Sequence, residues 1–147
     1  MARNSNQVPK SDRALFRRCR VLHEDIALLR KSLPESEVVA ALERISPDKL
    51  PKAQQCMQAC ILRDKADLTA KEAELEEIAI RAEQAAQRIP NANLRRIAKL
   101  YCIDGLSYAE TKHSVSCCQR TVERWIAYLN VEGNADAAAN QGGTERR

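Results

Sequence analysis

Between residues 1 and 130 this chain has a single glycine, Gly105; the other three of its four, Gly133, Gly142 and Gly143, follow Asn130. Sheet-rich folds spend glycine on the tight turns between strands, so a stretch this poor in it reads as helix joined to helix. The prolines agree. Pro9, Pro34, Pro47 with Pro51, and Pro90 each fall where the apolar periodicity also breaks, and they cut the sequence into helix-sized blocks. The expected fold class is all-α. Hydrophobic content of 44% with only 3% aromatic residues predicts a core of Leu, Ile, Val and Ala, and 30% charged residues suits elongated helices.

Met1 to Lys10 is polar and reads as a disordered lead (1–10). From Ser11, with Ser11 and Asp12 as cap candidates, Leu15, Cys19, Leu22, Ile26, Leu29 and Leu33 recur at alternating steps of four and three, the seam of a coiled coil. It is shorter than three heptads. It fits packing within its own chain and self-association equally, the latter as a homodimer through 11–33 and 52–89. Ser36 should cap a short helix carrying Val38, Val39, Leu42 and Ile45, and Ser46 should cap a restart with Pro47 in the first helical position. Lys52 to Arg88 contains neither proline nor glycine and predicts one long helix. Its stripe runs through Ile61, Leu68, Leu75, Ala82 and Ile89, widened by Ile78, Ala79, Ala85 and Ala86; Glu72, Glu74, Glu76, Glu77 and Glu83 make an acidic face, read as solvation. These blocks form the expected scaffold, 11–89, in which the long helix pairs with the first as a hairpin.

Punctuation is densest from residue 90 onward. Asn91 or Asn93 should cap a helix with Leu94, Ile97, Ala98 and Tyr101 on one side and Arg95, Arg96 and Lys99 on the other. Gly105 stands where that helix needs a left-handed residue to stop, with Leu106 covering its end. Ser107 and Glu110 then form the S-x-x-E capping box that starts the next helix. Downstream, Val122, Trp125, Ile126 and Leu129 make one apolar face of a last helix, 119–129, while Gln119, Arg120, Glu123 and Arg124 fall on the other side. Two short helices joined by a tight turn are the layout of a helix-turn-helix, predicted to occupy 90–130.

That stretch resembles the helix-turn-helix of region four of bacterial sigma factors and the similar module of phage-encoded late transcriptional activators. The resemblance covers Asn91 to Asn130 and is carried by Leu94-Arg95-Arg96-Ile97, by Tyr101 to Ser107, and by Arg120-Thr121-Val122-Glu123-Arg124. Val115, Cys117, Val122 and Trp125 match apolar positions that the motif buries, and Ser116 occupies the turn position usually held by glycine. Two residues depart from the pattern. Thr111 replaces a larger aliphatic side chain, and Lys112 replaces a small residue that lies against the crossing helix. The resemblance implies double-stranded DNA as partner, transcription regulation as function, and a phage or mobile-element origin. It also brings RNA polymerase into view as a second partner, which the residues themselves do not decide.

Charge fits this reading. The whole chain carries +4, with 24 Lys and Arg against 20 Asp and Glu, and Arg88 to Asn130 alone holds seven basic against three acidic residues, a surplus of the same size. In the last helix Gln119, Arg120, Thr121, Glu123 and Arg124 offer donors and acceptors for base edges or phosphates; Arg95, Arg96, Ser107 and Tyr108 are the expected backbone contacts. The rival reading is a non-catalytic interaction or scaffold protein whose degenerate helix-turn-helix packs on a protein partner, and Lys112 favours it.

Other chemistry has little support in the sequence. His23 and His113 are isolated, and no phosphate loop, nucleophile elbow or metal motif occurs, so no enzyme and no cofactor is expected. Cys56 and Cys60, four apart, and the adjacent Cys117 and Cys118 do not form the C-x-x-C knuckle of structural zinc. With no signal pattern and no apolar run of about 20 residues, the chain reads as cytoplasmic, and all six cysteines as reduced thiols behaving as small hydrophobes. VEGNADAAANQGGTERR (131–147) lacks an apolar period and reads as a disordered tail.

Overall fold

A computed structural model describes residues 8–130; most of the expected polar lead and the whole expected tail lie outside them. The described residues form helices joined by short turns, with no strand. In order they form α1 (Lys10–Ser32), α2 (Ser36–Arg44), a single 3₁₀ turn (Pro47–Lys49), α3 (Lys52–Gln87), α4 (Ala92–Ile97), a π-helical continuation of α4 (Ala98–Ile103), α5 (Tyr108–Ser114) and α6 (Gln119–Asn130). No helix among them is long and apolar enough to cross a membrane.

The chain separates into two compact units, one of residues 8–21 with 76–130 and the other of Leu22–Leu75. The division falls inside α1 and α3, whereas the sequence reading drew its boundary at residue 90. Charge divides with it. Described residues of the first unit carry thirteen Lys and Arg against seven Asp and Glu, a surplus of six; the second carries eight against ten.

The unit Leu22–Leu75 buries Leu22 and Ile26 of α1, Val39 of α2 and Gln58 of α3. Gln58 was not legible as a core residue. Its amide donates to the carbonyls of Leu42 and Ile45, 2.8 Å each, and so satisfies the free end of α2. Ion pairs tie the helices together: Arg30 to Glu72 at 2.6 Å, Lys71 to Asp25 at 3.6 Å, and Lys65 to Glu43 at 2.7 Å. Part of the acidic face is thus engaged within the chain. Two capping expectations are corrected. Ser36 lies inside α2, whose start is the carbonyl of Glu35; and Ser46 precedes Pro47 as expected, but its hydroxyl turns to Asp48 rather than to a backbone N–H. α3 opens on the Pro51 carbonyl, which accepts from Gln54 and Gln55. Of the four apolar residues expected to pack from this segment, Val38 and Ile45 are exposed.

The other unit holds the larger core. Val8, Phe16 and Cys19 come from the N-terminal side, Ile78, Ala82, Ala85, Ala86 and Ile89 from α3 and its end, and Leu94, Ile97, Cys102, Val122 and Leu129 from the C-terminal helices. Phe16, fully buried, lies beside the predicted seam and was missing from it. A seam at 15, 19 and 22 is too narrow for a helix packed on more than one neighbour, which needs a wider apolar stripe. The expected lead is corrected as far as it is described: Val8 is 1% exposed, and α1 begins at Lys10 on the Pro9 carbonyl. Asp12 caps nothing. Its carboxylate is buried and meets the Arg88 guanidinium at 3.3 Å through both oxygens.

Candidate nucleic-acid interface

The helix that enters this region starts as the sequence predicts, with the Asn91 side chain accepting from the Leu94 N–H at 2.9 Å. What the sequence did not disclose is that after Ile97 it widens to π-helical geometry. The Asp104 N–H reaches back to the Lys99 carbonyl at 2.8 Å, Gly105 takes φ 77°, and the Leu106 N–H returns to Leu100 O at 2.9 Å. A side chain at Gly105 would clash in that left-handed conformation. The end is finished from α1: Arg20 donates through Nη1 to the carbonyls of Tyr101 (2.9 Å) and Leu106 (2.7 Å), with its guanidinium 3.9 Å from the Tyr101 ring centroid. A cation on unpaired terminal carbonyls also opposes the negative end of the helix dipole. Lys99 lies between Glu83 (2.5 Å) and Asp104 (3.0 Å), and these hydrogen bonds, that of Glu83 first, push its ammonium pKa up.

Ser107 and Glu110 close the predicted capping box. Ser107 Oγ accepts from the Glu110 N–H at 3.1 Å, and Glu110 Oε1 accepts from the Ser107 N–H at 2.9 Å. Thr111 is fully buried, and its Oγ1 has no hydrogen-bond partner among the described residues. Lys112 follows it in α5. It is half-buried, with its ammonium 5.8 Å from the Tyr108 ring centroid and 3.4 Å from Gln119 Oε1, so its stem covers surface while its charge reaches the edge. No described residue other than glycine has positive φ, so the turn through Ser116 is made without the left-handed residue that a glycine there would supply.

From Gln119, α6 is anchored by Val122, Ile126 and Leu129, all buried. Val115 is buried as expected. Trp125 and Cys117, also expected to be buried, are only half so. Trp125 meets Tyr128 edge to face, 5.8 Å between centroids, and carries the Arg124 guanidinium at 5.8 Å. Position 125, three after Val122 and four before Leu129, lies at the edge of the stripe that Val122, Ile126 and Leu129 bury, so the ring is covered only in part.

Gln119 in the first turn, and Arg120, Glu123 and Arg124 away from that stripe, are exposed. They are organised. Gln119 Nε2 donates to Glu123 Oε2 at 2.9 Å, and the Tyr108 hydroxyl of α5 donates to the same oxygen at 3.0 Å. The Gln119 amide first, and then the Tyr108 hydroxyl, hold the Glu123 carboxyl below the usual carboxylate range. Thr121 is half-buried and its hydroxyl lies 3.2 Å from the Cys118 sulfur. Ser107 is occupied by its cap. The two arginines of α4 differ: Arg95 is half-buried, with Nη1 on the Ile89 carbonyl at 2.7 Å, whereas Arg96 is exposed, with Nε on the Ser114 carbonyl at 2.9 Å. Arg96 thus joins α4 to the end of α5.

The cysteines are unpaired, and only Cys19 and Cys102 are buried hydrophobes; Cys56, Cys60 and Cys118 are exposed, against the expectation for all six. Among the described residues no cluster of three His, Cys, Asp or Glu side chains is arranged to hold a metal. No family model, curated protein or solved structure matches the chain.

Proposed function

We propose that this chain is a sequence-specific duplex-DNA-binding regulator of transcription that reads the major groove with α6. The observation that carries this reading is the exposed face of α6, where Gln119, Arg120, Glu123 and Arg124 stand clear of a stripe buried through Val122, Ile126 and Leu129. Twelve helical residues span about 18 Å, enough to lay two turns of side chains in a groove about 12 Å wide. The unit that holds this helix carries the chain's basic surplus, the electrostatic condition for approaching phosphate.

Roles follow from placement. Arg120 and Arg124, four apart and exposed, have the reach for guanine edges, and Arg96 for the phosphate backbone. Arg95, half-buried on the Ile89 carbonyl, is less available for phosphate. The test is binding of the full chain to mixed-sequence duplex over a salt series. Affinity should fall linearly on logarithmic axes as salt rises, by about 0.9 per phosphate neutralised. A chain that binds no duplex at low salt would discard this reading in favour of the interaction protein with a degenerate helix-turn-helix.

A further inference from the structure

On a surface that approaches phosphate, a carboxylate is a liability unless it meets a donor. Glu123 is such a carboxylate, and the fold holds it in place instead of letting it swing away. Both of its protein hydrogen bonds, from Gln119 at 2.9 Å and Tyr108 at 3.0 Å, go to Oε2. Among the described residues nothing donates to Oε1. The clamp has a second tier, since Lys112 Nζ lies 3.4 Å from Gln119 Oε1 and orients the amide so that its nitrogen faces Glu123. Two helices thus converge on one oxygen and leave the other for a ligand.

In the major groove two bases present an amino donor, adenine at N6 and cytosine at N4. Adenine places the N7 acceptor next to its amino group, and a carboxylate there meets a lone pair. Cytosine has only a C–H beside N4, so a carboxylate can accept without that repulsion. Resting on the proposed DNA-binding function, we infer that Glu123 is a specificity-determining residue whose Oε1 accepts from a cytosine N4 amino group, with Gln119 and Tyr108 as the positioning residues that fix it.

The experiment is selection of duplexes from a randomised pool by the full chain, followed by binding measurements on the selected duplex and its single-base-pair variants. The parent, Glu123→Gln, Gln119→Ala and Tyr108→Phe are compared, each with its helix content checked. Exchanging C·G for T·A at one selected position puts a thymine O4 acceptor where N4 stood, and should weaken the parent about tenfold. Glu123→Gln should abolish most of that discrimination at this position alone. Tyr108→Phe and Gln119→Ala should relax the same position in part, which a merely structural role would not do, because lost structure weakens every sequence alike. If Glu123→Gln keeps the parent's preference, or no selected position requires cytosine, the inference is overturned while DNA binding stands. A parent that binds no duplex overturns both.

Discussion

The main-chain N–H of Val8 donates to the Tyr128 hydroxyl at 2.7 Å, joining residues 120 positions apart in sequence. Around it, the Arg13 guanidinium sits 4.8 Å from the Tyr128 ring centroid and donates through Nε to the Val8 carbonyl at 3.2 Å. The last turn of α6 is therefore held by residues that precede and open α1. Residues 90–130, which the sequence reading took as one domain, thus share a compact unit with the start of α1.

Tyr128→Phe keeps the ring and removes the acceptor of a partly buried N–H. Leaving such a donor unpaired costs about 1–3 kcal/mol, the lower end applying where water can reach it. A fall in the thermal midpoint, with helix content retained below the transition, is the expected result. An unchanged midpoint would mean that this clasp adds nothing to stability.

Thr111 predicts the opposite sign. Its buried Oγ1 has no partner among the described residues, and a buried hydroxyl without a hydrogen bond costs about 1–3 kcal/mol on mutational scales. Thr111→Val replaces it with a methyl of similar shape and should raise the thermal midpoint without altering DNA affinity. Unfolding scans of the two proteins side by side decide it.

Leu22 and Ile26 are 0% and 4% exposed, so Leu22→Asp with Ile26→Asp buries two carboxylates in apolar surroundings. Each is costly without a partner. Loss of helix content is expected. Light-scattering mass of the parent answers the separate matter of self-association through 11–33 and 52–89, since these two side chains are already buried within one chain.

What could be read in advance follows from how local each signal is. The Asn91 cap, the Ser107 and Glu110 box and the left-handed Gly105 each depend on residues within a turn of one another, so the sequence carried them whole. The α6 stripe was also legible from its spacing; Trp125, placed in it by the same spacing, lies at its edge and is only half-buried. Phe16, the Arg20 cap on Tyr101 and Leu106, the Tyr128 clasp and the Gln58 cap pair residues 13 to 120 positions apart or depend on which face of α1 meets several neighbours. No local spacing encodes those. The Tyr108 to Glu123 bond was hidden for the same reason, although both residues were already expected to contact DNA.

Thiol chemistry should separate the cysteines by burial. Burial pushes Cys19 up to about 11 and Cys102 up to about 12, so at neutral pH both are thiols and poor nucleophiles. Cys118 is exposed, and the Thr121 hydroxyl and neighbouring backbone N–H groups lower its pKa, which raises its thiolate fraction at that pH. Brief alkylation of the folded protein followed by peptide mass mapping should find Cys118 modified and Cys19 and Cys102 spared. Label on the buried pair at the same rate would mean that the core opens on that timescale.

The proposed reading of DNA by α6 is tested by pairing substitutions on the two kinds of contact proposed for it. Arg120 and Arg124 are exposed and four apart, so loss of either should remove a contact without unfolding the helix. If one of them makes a bidentate contact to guanine, its change to alanine should cost about 1–3 kcal/mol and relax preference at a single base pair. Arg96→Ala should weaken all sequences together and flatten the salt slope by about one unit. It also gives up the Ser114 carbonyl, so helix content must be followed alongside. Half-buried Trp125 is a poor control for structural loss. Leu129→Ala serves better: a fully buried leucine cut to alanine costs about 2–5 kcal/mol, and should lower affinity for every duplex in proportion to the fraction unfolded. Arg120→Ala and Arg124→Ala proteins that stay folded and bind every duplex as the parent does would show that α6 does not read DNA, and would move the function to a protein partner.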